Sequence, residues 1–172
     1  MPIVADNKDW TWVLQRPCPE CGFDASAATP ATAPGIVESM LPRWRAALRR
    51  PDAAERPNAD TWSVLEYACH VRDVCSLFDY RLALMLREED ARFDDWDQDA
   101  TAIKKDYANA DPAEVSAELT AEGGRIAASF KRVPEDQWGR KGIRSNGSEF
   151  TVRTFSQYFL HDVVHHLHDV VG

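Results

Sequence analysis

Apolar side chains recur at helical spacing over most of this chain. Val64, Ala68, Val71, Cys75, Phe78, Leu82 and Met85 follow a 4-3-4-3-4-3 rhythm, and Tyr67, His70, Val74, Leu77 and Leu84 form a second row beside them. Ser63 and Glu66 stand at the positions where a hydroxyl and a carboxylate satisfy the free amides of a helix start, so a long helix is predicted from this point. Upstream, Pro34 suits the first turn of a helix that turns Val37, Leu41, Trp44 and Leu48 inward; Pro42 removes a backbone hydrogen bond from it and should bend it. Downstream, Asp111-Pro112 starts a third helix with Val115, Leu119, Ile126, Phe130 and Val133 inward. Gly123-Gly124 near its middle either weakens it or allows close packing. Thr151 caps a last helix whose apolar arc is Leu160, Val163, Val164, Leu167, Val170 and Val171.

Between these helices lie a polar connection over residues 51–62, an acidic stretch over 88–99 and a Gly- and Asn-containing stretch over 138–150 that reads as a short hairpin or loop. Asp95, Asp97 and Asp99 imitate the opening of a calcium loop. Counting from Asp95, however, the sixth and twelfth positions are Ala100 and Asp106 rather than Gly and Glu, so the segment is read as a solvated connection. The predicted organisation is an irregular leader over 1–33 and one all-α domain over 34–172. That domain is a four-helix bundle whose long connections favour crossover links over a simple up-down order.

A length of 172 residues suits one domain. With 28 acidic against 20 basic residues and a net charge of -8, the chain should repel nucleic-acid phosphates, and the short basic run Arg43-Trp44-Arg45 to Arg49-Arg50 reads as a solvated helix face. No apolar run is long enough to span a bilayer and no signal peptide is evident, so a cytoplasmic location is expected. Four cysteines are too few for a disulfide scaffold. Cys69 and Cys75 fall inside the helical pattern as small core residues, offset by about 240° around the axis and therefore unable to pair as ligands.

Candidate chemistry gathers at the C-terminus, where His161, His165, His166 and His168 make up four of the five histidines. Residues four apart on a helix are offset by only about 40°, so His161 and His165 can aim at one ion from the border of the apolar arc. A third ligand must then come from another helix, and His70 is the histidine available. His166 is expected to face solvent and His168 to be a neighbour or reserve ligand. Asp73 and Asp169, on the same faces as His70 and His165, could orient them. The opposing reading is that the terminal histidines favour the negative end of the helix dipole while His70 is a hydrogen-bonded core residue. In the leader, Cys18-Pro19-Glu20-Cys21-Gly22 has the form of one zinc-ribbon knuckle without a second cysteine pair; a redox pair, a knuckle borrowing ligands from elsewhere and a simple turn stay open.

Thr61-Trp62-Ser63 leading to Glu66, then His70-Val71-Arg72-Asp73, and the His161-xxx-His165 pair on the last helix together resemble the DinB-like, or YfiT-like, metalloenzymes over residues 34–172. The resemblance implies a four-helix bundle, often dimeric, whose metal is held by one histidine of the second helix and two ligands of the last. Carried over, these are His70, His161 and His165, with zinc or nickel as the metal. In some members the first ligand of the last-helix pair is Glu. Members with assigned activities include thiol S-transferases and isomerases that use mycothiol or bacillithiol, the metal lowering the thiol pKa and presenting it to an electrophile. The resemblance therefore implies a small-molecule electrophile or thiol as partner and a homodimer. The alternatives are a metal-dependent hydrolase, which needs the same open site, and a non-catalytic dimeric module tied together by its metal. No catalytic base is legible.

Overall fold

The computed structural model describes residue 3 and residues 9–171; residues 1, 2, 4–8 and 172, which belong to the leader and to the final helix region as read from the sequence, lie outside the described residues. Four long helices, α1 (Ala33–Leu48), α2 (Val64–Arg87), α4 (Pro112–Lys131) and α5 (Val152–Val171), form the bundle, and a short α3 (Gln98–Lys104) lies in the α2–α4 connection. α4 packs mainly against α1 and α2, and α5 against the same two, so the order around the bundle is α1, α4, α2, α5. Consecutive helices α1 and α2 thus sit largely diagonal to each other, and the connections cross the bundle as their length predicts. Among the described residues, no helix is long and apolar enough to cross a membrane.

Capping residues set the starts of α2, α4 and α5. The Ser63 hydroxyl accepts from the Glu66 amide, and the Glu66 carboxylate accepts from the Ser63 amide. Glu66 is also gripped by Arg56, whose Nε lies 2.9 Å from Oε2. Ser63→Ala is expected to cost about 1 kcal/mol, the usual worth of such a cap, and to appear as a lower urea midpoint at unchanged slope. Asp111 accepts from the amides of Ala113 and Glu114 at the start of α4. The Thr154 amide donates to the Thr151 hydroxyl at the entry to α5.

The core runs along the bundle axis through Trp44, Leu65, Leu82, Leu119, Ile126, Phe130, Phe155 and Phe159, all nearly inaccessible. Gly123 settles one open point of the sequence reading: a Cβ placed there would lie 2.6 Å from Leu41 Cδ2, so this glycine lets α4 close on α1, whereas Gly124 faces open space.

Two connections carry strands. The 138–150 segment is a hairpin, β2 (Lys141–Arg144) antiparallel to β3 (Glu149–Thr151), turning at Gly147 with φ of +94°. The acidic stretch is not merely a solvated connection. Ala91 and Phe93 are buried, and β1 (Ala91–Phe93) pairs parallel with β2 to complete a three-stranded sheet. Its strand is too short for alternation to be read against the surrounding acids. The described part of the leader carries short 3-10 turns at Trp10–Leu14 and Ala25–Ala27 packed against α5.

Candidate metal centres

α5 carries two interleaved pairs of potential ligands, each four residues apart: His161 with His165, and Asp162 with His166. A shift of one residue turns a side chain by about 100°, so the pairs look in different directions. Among the described residues, the donor atoms of His70, Asp162 and His166 converge within 4.8 Å of one another, and those of Cys18, Cys21, His161 and His165 do the same. The structure therefore divides the three histidines expected to act together. His161 and His165 turn to the leader, while His70 on α2 faces Asp162 and His166. His166 is not solvent-facing but half-buried, its ring edge-on to His70 with centroids 4.7 Å apart, and His168 is exposed outside both groups.

In the first group, His70 Nε2 lies 3.5 Å from Asp162 Oδ1, and His166 Nε2 lies 3.8 Å from the same oxygen. His70 is fully buried, stacked on Trp96 with centroids 5.4 Å apart and tilted against Trp62 at 5.5 Å. Neither ring nitrogen of His70 has a hydrogen bond, nor does Asp162 Oδ1. Burying three polar atoms unsatisfied costs free energy that a fold seldom bears without a reason. A cation between His70 Nε2 and Asp162 Oδ1 would satisfy two of them, and donors spaced about 3.5 Å apart are what ligands of one small cation show.

Protonation states suit the same role. Burial holds His70 below the usual imidazole range, so it is neutral at neutral pH and its lone pair is free. Burial works to raise the pKa of Asp162, but His70, His166 and His161 outweigh it and keep this carboxyl below its usual range, as an anion. His166 Nδ1 lies 3.1 Å from Asp169 Oδ2, which orients the ring and leaves Nε2 for the centre. Asp169 thus has an orienting role, though toward His166 at closest range rather than His165, whose Nε2 is 3.7 Å away. Asp73 is engaged elsewhere, accepting from Tyr107 and Arg72 and paired with Lys105.

This group opens onto a cleft of about 1170 Å³ whose walls include Trp10, Tyr67, Trp96, Arg144 and Tyr158, with a rim rich in carboxylates. The second group lies beside it under the leader. There Cys18 Sγ is 3.7 Å from His165 Nδ1, and burial together with the neighbouring His165 pushes His161 down to about 4.

Residues 24–170 match the DinB superfamily, and the chain belongs to that family. Its fold is similar to that of YfiT from Bacillus subtilis, described as a probable metal-dependent hydrolase with an unusual four-helix bundle topology. The TM-score is 0.71 at 20% identity over 82% of this chain and 85% of that one. It is also similar to a mycothiol-dependent maleylpyruvate isomerase, with a TM-score of 0.64 at 11% identity over 86% of this chain and 63% of that one. At these identities the likeness carries the fold. No curated protein matches the chain in sequence.

Of this group, sequence reasoning gave Asp162 no role and expected His166 in solvent. Two signals pointed to them: the carboxylate–histidine pair has the same four-residue spacing as His161 and His165, and the family resemblance admits an acidic residue at the first position of the last-helix pair. Neither signal says which pair faces α2.

Proposed function

We propose that this protein is a metal-dependent enzyme whose centre is His70, Asp162 and His166, and that it joins or uses a low-molecular-weight thiol in a reaction with a small electrophile. The observation that carries this reading is the convergence of unsatisfied His70 and Asp162 atoms with His166 at the wall of a large cleft. Three protein donors leave a divalent ion such as zinc or nickel room for a further ligand, and its charge would favour the thiolate over the thiol.

The chain's own residues perform the rest. His70, neutral and clamped between Trp62 and Trp96, cannot swing away from the centre. Asp169 fixes the His166 ring, and Asp162 supplies one negative charge, so a bound thiolate would bring the site close to neutrality. The thiol reading is favoured over plain hydrolysis by the size of the cleft: about 1170 Å³ exceeds the roughly 300–1,000 Å³ of an ordinary small-molecule pocket and suits two organic reactants side by side.

Metal-loaded protein is expected to accelerate conjugation of mycothiol or bacillithiol to a generic electrophile such as a chlorinated dinitrobenzene, with chelation and His166→Ala each removing the acceleration. Ester or amide hydrolysis without any thiol requirement would instead favour the hydrolase reading. No acceleration of either reaction by metal-loaded protein would leave a non-catalytic metal-tied module.

A further inference from the structure

The second group of ligands lies outside the centre just described and is not needed by it. We propose that Cys18, Cys21, His161 and His165 form a closed, structural zinc site that fastens the leader to α5 and so builds one wall of the cleft.

The leader already has the form of a zinc knuckle. The Gly22 amide donates to the Cys18 carbonyl at 2.9 Å and the Cys18 amide to the Phe23 carbonyl at 2.9 Å, which folds the chain so that both cysteines face the same way. Gly22 makes this turn with φ of +73°, a conformation that a side chain would strain. The two further ligands that a lone knuckle lacks come from α5: an i, i+4 histidine pair set directly beneath it. All four donors lie within 4.8 Å of one another, with Cys18 Sγ and His165 Nδ1 at 3.7 Å. In a tetrahedral zinc site with bonds of about 2.3 Å to sulfur and 2.0 Å to nitrogen, the sulfur–nitrogen edge is about 3.5 Å. The observed 3.7 Å is close to that length.

Each histidine also presents the right nitrogen. His161 Nε2 is buried without a hydrogen bond, while the far nitrogen of His165, Nε2, lies 3.3 Å from Glu20 Oε2. A carboxylate behind a ligating imidazole is the usual device for fixing its tautomer and orientation. Glu20 is supplied by the knuckle itself, between its two cysteines. Two thiolates and two neutral imidazoles around a zinc dication would leave the site with no net charge.

The coordination is closed, unlike its neighbour's, although His161 and His165 themselves reach the wall of the same cleft. Four protein ligands fill a tetrahedron, and aromatic rings pack against it: Trp10 against His161 and His165 at 5.6 and 5.5 Å, with Phe23 at 6.0 Å from His161. Its role follows from what the leader touches. Asp9, Trp10 and Glu20 line the cleft that Asp162 and His166 also line, so fastening the leader shapes the room available to substrate. Among the described residues the leader also meets α5 through a buried bond, Gln157 Nε2 donating to the Ala28 carbonyl at 2.9 Å.

Untagged full-length protein, purified under reducing conditions, tests this directly. Zinc analysis should find two equivalents per chain, and X-ray absorption should show sulfur in the shell of one of them at about 2.3 Å. Cobalt in place of zinc should give a thiolate-to-metal charge-transfer band, which the carboxylate centre cannot produce because it has no sulfur. Cys18→Ser combined with Cys21→Ser should abolish that band and remove one equivalent, whereas Asp162→Ala should preserve the band. Should the double variant not fold, Cys21→His keeps four donors and should retain the metal with one sulfur fewer. Absence of the charge-transfer band in cobalt-loaded parent protein, or recovery of Cys18 and Cys21 as a disulfide alongside full metal content, overturns the proposal. Because the sulfur signature belongs to this site alone, its failure is separable from failure of the His70 centre.

Discussion

Asp162→Ala will strip the metal from the His70 centre, while His168→Ala, four residues before the chain end and exposed, will leave it in place. Asp162 is the corner on which the other two ligands meet, since its Oδ1 faces His70 Nε2 at 3.5 Å and His166 Nε2 at 3.8 Å. It is also the group's only anion, so its removal leaves two neutral imidazoles that offer a dication little beyond their lone pairs. Thiol-transfer activity should fall by more than the roughly 10–100-fold that follows loss of a residue merely hydrogen-bonded to a ligand. Metal content should drop by one equivalent. The informative comparison is with His161→Ala in the same assay. If that variant lost the catalytic metal and Asp162→Ala kept it, the ligands would be those that the spacing alone suggests, His70 with His161 and His165, and the division of α5 into two faces would be wrong.

That comparison bears on what can be read from sequence. The four bundle helices were legible because their information is local: Ser63 with Glu66, Asp111 with Pro112 and the apolar rows each lie within one element. The concentration of histidines was equally plain. Their grouping was not, because an isolated helix offers 161/165 and 162/166 as equivalent pairs, and the choice depends on which neighbour packs against each face. The apolar arc puts His161 and His165 at its border, and the leader rather than α2 covers that side. Contacts such as Cys18 with His165, separated by 147 residues, have no trace in periodicity. Strand β1 escaped for a related reason: three residues pair with β2 only because the bundle brings residues 91 and 142 together. What sequence spacing conveys is the side of a helix; what stands opposite is decided by the fold.

Phe155→Ala is expected to cost about 3–5 kcal/mol of stability, the range for deleting a large aromatic from a close-packed core. Phe155 is 1% exposed and sits one turn into α5, where bundle and sheet meet. Its ring stacks on Phe78 of α2 with centroids 4.7 Å apart, and it packs edge-on against Phe93 of β1 and Phe150 of β3, each at 6.0 Å. Truncation would leave a void bounded by four elements. Backbone strands cannot collapse readily into such a space, so the cost should fall at the upper end rather than be relieved by movement. The hairpin next to that void carries Arg144 and Ser148 into the cleft, and loosening it should raise KM for a substrate that touches this wall while the ligands on α2 and later turns of α5 stay in place. Urea unfolding of the metal-loaded protein gives the measurement: a fall in midpoint at constant slope, with Phe155→Leu losing only about 1 kcal/mol because most of the volume is kept. A cost below 1 kcal/mol for the alanine variant would mean that the sheet and the bundle are not joined through this ring.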